Sequence, residues 1–117
     1  MARVSYVMEL TINEGKLEEF KEKAEGYVKA VQDGEPGTLV YQWWLGEDGT
    51  RCLVHEVFES SEALLTHVGN VGPSLPDLLA IAPITRLEVF GTVSEQAREA
   101  VAQLGAKHFP HLAGFER

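Results

Sequence analysis

Four segments of the chain alternate apolar and polar residues, and two segments with helical periodicity lie between them. A period of two is the signature of a β-strand with two different faces. In the first helical segment, 16–33, apolar residues recur at helical spacing and charged residues fill the outer face. A second helix is predicted after Ser60, a residue suited to helix capping, and extends to about Val68. The four strand-like segments are 4–12, 38–45, 51–59 and 84–90.

The resulting order of strand, helix, strand, strand, helix, strand is typical of an α+β ferredoxin-like sandwich. In this fold two helices cover one face of a four-stranded antiparallel sheet. Asp48-Gly49 lies between the second and third strands and is a hairpin signal. Apolar residues in 73–82 predict a short helical turn before the fourth strand. We therefore expect a ferredoxin-like β-α-β-β-α-β unit over residues 1–92.

An extra C-terminal segment follows this unit. Thr92-x-x-Glu95 predicts a capping box for a third helix, and Gly105 suits the end of that helix. The last twelve residues, 106–117, are rich in aromatic side chains and predict an ordered tail. We expect 93–117 to pack on the same unit or on a partner subunit.

The strand alternation sorts the side chains into two faces. One face is apolar and should lie under the helices; it includes Tyr41 and Trp43 and, on the third strand, Leu53, His55 and Val57. The other face mixes aromatic and charged residues, which suits neither open water nor a dry core. We expect a second copy of the chain to cover it and form a homodimer with a partly wet pocket. Its members are Ser5, Val7, Glu9, Val40, Gln42, Trp44, Cys52, Val54, Glu56, Phe58, Ile84, Arg86, Glu88 and Phe90.

Charge and composition narrow the function classes. The chain has 18 acidic and 10 basic residues, a net charge of −8, which repels nucleic-acid phosphates and anionic membrane surfaces. No apolar run approaches the length of a membrane span. The N-terminus, Met1-Ala2-Arg3, leads into a strand pattern without a signal-peptide core, so we expect a cytoplasmic protein.

The metal-ligating residue types are sparse and separated. Cys52 is the single cysteine, so no intramolecular disulfide can form. His108 and His111 are three residues apart, but Pro110 between them interrupts a helix. We expect no metal site.

Several short motifs resemble those of the antibiotic biosynthesis monooxygenase domain family over roughly residues 4–90. They are Glu35-Pro36-Gly37, Tyr41, Glu56-x-Phe58, and Ser60-Ser61-Glu62-Ala63 followed by His67. The resemblance implies a dimeric α/β barrel, in which two four-stranded sheets face each other and each protomer holds a cavity. Characterised relatives oxidise quinols or polyphenols with oxygen and without metal or flavin, or degrade haem. Phe58 stands where many members have tryptophan or tyrosine, which argues against the haem-degrading subgroup.

This resemblance implies a monooxygenase that needs no cofactor and acts on a small quinol-like or polyphenol-like aromatic. His67 is then expected to remove a phenolic proton as a neutral imidazole, while Glu56 and Arg86 hold the substrate. Glu9 and Glu88 are expected to join this polar network. Trp44, Phe58 and Phe90 are expected to stack on a planar substrate.

Each of these residues also has a structural interpretation. His67 can be a helix residue satisfied by a backbone group, and Glu56 with Arg86 can be an ion pair that fixes the register of a dimer. The aromatic residues can pack at the dimer interface. The alternative function is a non-catalytic dimer that binds a small apolar ligand, as stress-related barrels of this architecture do.

Overall fold

The computed structural model describes residues 3–117; Met1 and Ala2, with which the predicted unit 1–92 begins, lie outside the described residues. The predicted order β-α-β-β-α-β is confirmed. The helix that begins after Ser60 extends to Val71, past the predicted end at Val68. A 3₁₀ turn, Gly72–Ser74, joins it to the next helix. The elements are β1 (Val4–Thr11), α1 (Leu17–Gly34), β2 (Thr38–Leu45), β3 (Arg51–Phe58), α2 (Ser61–Val71), α3 (Leu75–Ile81), β4 (Ile84–Phe90), α4 (Glu95–Ala102) and β5 (Lys107–Phe109).

The strands form one sheet in the order β2-β3-β1-β4-β5. The first four strands are antiparallel, which confirms the ferredoxin-like arrangement, and β5 pairs in parallel with β4. This fifth strand is only three residues long, too short for alternation to reveal it in the sequence. The apolar residues of β1 turn toward the helices and form the centre of the core with Phe20 of α1, Leu64 of α2 and Leu78 of α3.

β3 presents its side chains the opposite way from the prediction. Tyr6 pairs with Glu56 and Leu10 pairs with Cys52, and directly opposed residues of paired strands share a face. Cys52, Val54, Glu56 and Phe58 therefore lie beneath the helices, at most 2 % exposed. The prediction that they belong to the other face was wrong. Both alternating sets of β3 contain apolar residues, so periodicity cannot choose between them, and the register with β1 and β2 decides.

An irregularity between Glu9 and Leu10 in the pairing with β4 corrects a second assignment. Glu9 faces Arg86, but Leu10 faces Ile84, so one residue of β4 is left over between them. Ile84 consequently shares the helix-covered face with Leu10 instead of the opposite face.

The helix starts follow capping chemistry. Ser60 accepts a hydrogen bond from the Ala63 backbone N–H at 3.1 Å, which confirms the predicted start of α2. At α4 the capping residue is Ser94, whose Oγ accepts from the Ala97 N–H at 3.1 Å. The predicted cap at Thr92 was wrong by two residues.

The side of the sheet away from the helices, called the open face below, carries large apolar side chains. Trp44 is 60 % exposed, and Leu53 and Phe90 are 38 % and 39 % exposed. Its members include Val7, Glu9, Val40, Trp44, Leu53, His55, Val57, Arg86, Glu88 and Phe90. Within residues 3–117 no helix combines the length and the apolar character needed to cross a membrane.

Candidate functional site

A histidine lies between two carboxylates inside the helix-covered side of the sheet. His67, on α2, is 2 % exposed. Its Nδ1 is 2.8 Å from Oε1 of Glu35, and its Nε2 is 2.8 Å from Oε1 of Glu56. Glu35 follows the last turn of α1 and Glu56 lies in β3, so three elements meet at one imidazole. Both carboxylates are buried.

Glu35 holds the histidine in a fixed orientation. Its Oε1 also accepts a hydrogen bond from Thr38 Oγ1 at 2.9 Å, and its Oε2 accepts one from Asn70 Nδ2 at 3.1 Å. A carboxylate at Nδ1 requires the proton on that nitrogen, which leaves Nε2 directed at Glu56. Glu35 is therefore a positioning residue for the imidazole.

Glu56 is held less completely. Although its Oε1 is 2.8 Å from His67 Nε2, the alignment is not that of a hydrogen bond, and Oε1 has no aligned donor among residues 3–117. Tyr6 lies directly opposite Glu56 on β1. The charge on this carboxylate is compensated by the contact with His67, and Oε1 keeps a lone pair that can accept a further proton.

Burial and charge pairing set the protonation of this cluster. Burial raises the pKa of Glu56 above the ordinary 4.5, and contact with His67 opposes that rise only in part. Burial acts to lower the pKa of His67, but the Glu56 and Glu35 carboxylates outweigh it and raise the pKa above 6.5. The two carboxylates therefore favour the protonated imidazole over the neutral form that the resemblance implied. Of the two groups, Glu56 is the better placed to act as a base.

A small cavity opens beside Glu56 and His67. Its volume is about 40 Å³, and the three tyrosines of the chain contribute to its wall. Burial and the Glu56 carboxylate raise the pKa of Tyr6 and Tyr41 well above the ordinary 10.0, so both keep their protons and can donate hydrogen bonds. The indole N–H of Trp43 is buried and has no partner within the described chain. The aromatic and charged residues of its lining are Tyr6, Tyr27, Tyr41, Trp43, Glu56 and His67.

The sequence profile of the antibiotic biosynthesis monooxygenase family matches residues 3–72, more than half of the chain. The chain belongs to the antibiotic biosynthesis monooxygenase family. No curated protein sequence matches it.

Several solved structures share the fold of this chain. MupZ from Pseudomonas fluorescens is 26 % identical and covers 100 % of this chain and 96 % of its own, with a TM-score of 0.88. A mutant of SnoaB, a cofactor-independent oxygenase from Streptomyces nogalater, is 18 % identical and covers 80 % of this chain and 96 % of its own, with a TM-score of 0.64. Rv0793 from Mycobacterium tuberculosis is 18 % identical, covers 80 % and 98 %, and has a TM-score of 0.62. The likeness to the last two shows the fold alone.

Several residues predicted for the site lie on the other side of the sheet. Arg86 is on the open face, where its Nε is 3.0 Å from Glu88 Oε2, so the expected pairing of Arg86 with Glu56 was wrong. Glu9 accepts hydrogen bonds from Arg51 at 3.0 Å and from Thr85 at 2.7 Å on the same face. Trp44 and Phe90 also point there. The sheet itself separates these residues from His67.

Phe58 and His67 are brought together with Glu56 as the family motifs imply, and the Phe58 and His67 rings are 5.4 Å apart. Sequence reasoning gave no role in the site to Glu35, Tyr6 or Tyr27, and it treated Tyr41 as a residue of the helix-covered face only. The Glu35-Pro36-Gly37 motif could have indicated Glu35, because α1 ends there, beside His67. No group of three or more His, Cys, Asp or Glu side chains within 3–117 is arranged to hold a metal ion.

Proposed function

We propose that this protein is a cofactor-independent monooxygenase that oxidises a small phenolic, quinol-like aromatic. The observation that carries the proposal is the buried Glu35–His67–Glu56 chain at the wall of a cavity lined by aromatic side chains. Membership in the monooxygenase family supports the reaction class. Fold alone does not decide the chemistry, because related architectures host unrelated functions.

Glu56 is the general base of this proposal. A substrate hydroxyl that enters the cavity donates its proton to Oε1, the oxygen that lacks an aligned donor. A carboxyl whose pKa is raised by burial accepts a proton nearer neutral pH than an exposed glutamate does. His67 holds the carboxylate in place, and the Tyr6 and Tyr41 hydroxyls stabilise the phenolate.

The aromatic substrate supplies the electrons that reduce O₂. The phenolate passes one electron to O₂, and the resulting pair combines to form a carbon–oxygen bond and a peroxide at the ring carbon. Loss of the hydrogen on that carbon and cleavage of the O–O bond then release water, with the proton returned from Glu56. One phenol and one O₂ therefore become one quinone and one water, and the second oxygen atom is reduced by the two electrons that the ring loses.

We also propose that the protein works as a homodimer through the open face. Trp44, Leu53 and Phe90 form an apolar surface too exposed for a lone protomer. Arg51 and Arg86 lie among the carboxylates of Glu9 and Glu88, a mixture of charges that can pair with its own copy across a two-fold axis.

Oxygen uptake by metal-stripped protein tests the reaction. A panel of hydroquinones and polyphenols should contain at least one that consumes O₂, and isotopically labelled oxygen should appear in the product quinone. Glu56→Gln should lower kcat by roughly 10²–10⁴-fold, the usual range for general-base catalysis. The substitution also removes one charge from the buried pair with His67, so kcat is compared on variant protein whose native fold is verified by circular dichroism.

The matched control is Glu99→Gln, which changes an exposed carboxylate of α4 and should leave kcat unchanged. Full activity of Glu56→Gln would contradict the assignment of the base. Tight binding of the aromatic compounds without any oxygen consumption would favour the alternative, a non-catalytic dimer that binds a small apolar ligand.

A further inference from the structure

Two spaces meet at the side chain of Tyr27. The inner cavity beside Glu56 has about 40 Å³, room for a few water molecules at roughly 10–15 Å³ each and well below the roughly 150 Å³ of a cavity that holds benzene. A groove of about 560 Å³ runs outside it, between α1 and the segment from α2 to α3. Tyr27 and Val71 line both spaces. An aromatic ring fits the groove and does not fit the inner cavity as it stands.

A hydrogen bond holds Tyr27 in this wall. The Ser74 hydroxyl donates its proton to the Val71 carbonyl at 3.1 Å, so at 2.9 Å from Ser74 Oγ the Tyr27 hydroxyl is the donor. The Tyr27 ring also stacks on Trp43, with centroids 5.9 Å apart and an angle of 21°. One hydrogen bond therefore links the middle of α1 to the turn before α3.

Small residues keep the groove open. Gly26, Ala30 and Gly34 follow one another at intervals of four along α1, and all line the groove. A Cβ atom at Gly26 or Gly34 would meet no atom within 4 Å, so packing does not require glycine there. Glycine inside a helix lowers its stability. The two glycines therefore lower the stability of α1 and leave the wall of the groove without side chains at these positions.

We propose that Tyr27 is the gate of a substrate channel, in which the ring of a hydroxylated aromatic lies in the groove and its hydroxyl reaches Glu56. The buried Glu56 Oε1, which has no aligned donor in the described chain, accepts from that hydroxyl. The Trp43 N–H, unpaired in the same cavity, donates to a second oxygen. The ligand class is therefore a planar aromatic with a hydroxyl and a carbonyl-type acceptor. The substrate assignment rests on the proposed oxygenase function, whereas the channel does not.

Acrylamide quenching of Trp43 fluorescence tests the gate without any substrate. In a Trp44→Phe background Trp43 is the only tryptophan of the chain. Tyr27→Phe and Ser74→Ala each remove the hydrogen bond and should raise the quenching constant about two- to fivefold, the shift that one hydrogen bond supports. Ser61→Ala removes a different serine contact, to the Ser94 N–H, and should change nothing. Unchanged quenching in both gate variants would overturn the gate.

Gly26→Leu tests the groove by filling it. The added Cβ atom meets no other atom within 4 Å and leucine improves helix propensity, so the protein should fold as well as before. Binding of naphthol, measured by its own fluorescence, should weaken at least about tenfold, and for an oxidised phenol KM should rise while kcat stays unchanged. Gly69→Leu, also without neighbours but outside the groove, is the control. Equal naphthol affinity in Gly26→Leu and the wild type would overturn the channel, whether or not the protein proves to be an oxygenase.

Discussion

At the scale of single residues, the protonation of His67 and Glu56 links the candidate site to the stability of the fold. The folded-state pKa of both groups is raised, so the folded protein binds more protons than the unfolded chain above the ordinary pKa of glutamate, 4.5. The stability that His67 contributes is fully present below its ordinary pKa of 6.5 and is lost as pH rises through the folded value. The contribution of this cluster to the free energy of unfolding should therefore fall as pH rises.

We expect the urea midpoint of the wild type to be lower at about pH 8.5 than at about pH 5.5, and His67→Gln to lose the part of that difference that the imidazole contributes. The midpoint should be read at both values for the two proteins under the same salt. A difference of the same size in His67→Gln would show that other groups cause the dependence.

Removing the imidazole itself should be more damaging than changing its charge. His67→Ala leaves Glu35 and Glu56 buried without a cation between them, and loss of one partner of a buried ion pair costs about 3–5 kcal/mol. Denaturant unfolding measures this loss. His111→Ala, an exposed histidine, should change the free energy of unfolding by less than about 0.5 kcal/mol. Equal losses of unfolding free energy in the two variants would mean that the buried Glu35–His67–Glu56 contacts do not stabilise the fold.

At the scale of elements, the C-terminal segment contacts the rest of the protomer through α4 and β5. Ala97 and Val101 of α4 are buried in the core, and β5 extends the sheet. This strand pairs with β4, the Gly91 N–H donates to the Phe109 carbonyl at 3.1 Å, and the Phe109 ring lies 5.8 Å from Phe90. Beyond it, Leu112 and Phe115 are 96 % and 79 % exposed. The predicted packing of the tail on its own unit thus applies to β5, and packing of 110–117 on a partner stays a prediction.

Two truncations separate these parts. Deletion of 106–117 removes β5 and should lower the free energy of unfolding by about 2 kcal/mol, since ladder hydrogen bonds and a half-buried Phe are lost. Deletion of 112–117 keeps β5 and should leave the melting temperature unchanged at high dilution. If the shorter deletion lowers the melting temperature only at high protein concentration, the tail packs on a partner; if the longer one has no effect, β5 contributes nothing.

At the scale of the whole molecule, the proposed homodimer depends on the open face. Trp44→Glu places a charge on the most exposed large aromatic of the open face and should convert the proposed dimers to monomers or to aggregates in light scattering at micromolar concentration. Thr66→Glu adds the same charge on the exposed side of α2 and should stay dimeric. A wild-type protein that is monomeric under the same conditions would contradict the proposed homodimer.

Much of the fold could be predicted from local sequence patterns. Alternation in β1 and the amphipathic pattern of α1 depend on residues close in sequence, so both were predictable. The Ser60 cap was predictable for the same reason. The family motifs placed Glu56 and His67 in one site by resemblance, but the alternation pattern by itself put Arg86 with them.

The sequence by itself therefore determined the order of elements, the ferredoxin-like topology and the family. Tertiary structure decided which side of the sheet holds the chemistry. β3 is apolar enough on both faces to be read either way, and only its pairing with β1, Tyr6 opposite Glu56, turns the carboxylate toward His67. Glu35 joins the same imidazole from 32 positions away along the chain. A contact of that kind depends on the register of strands and on how helices pack over them, and no local periodicity encodes either.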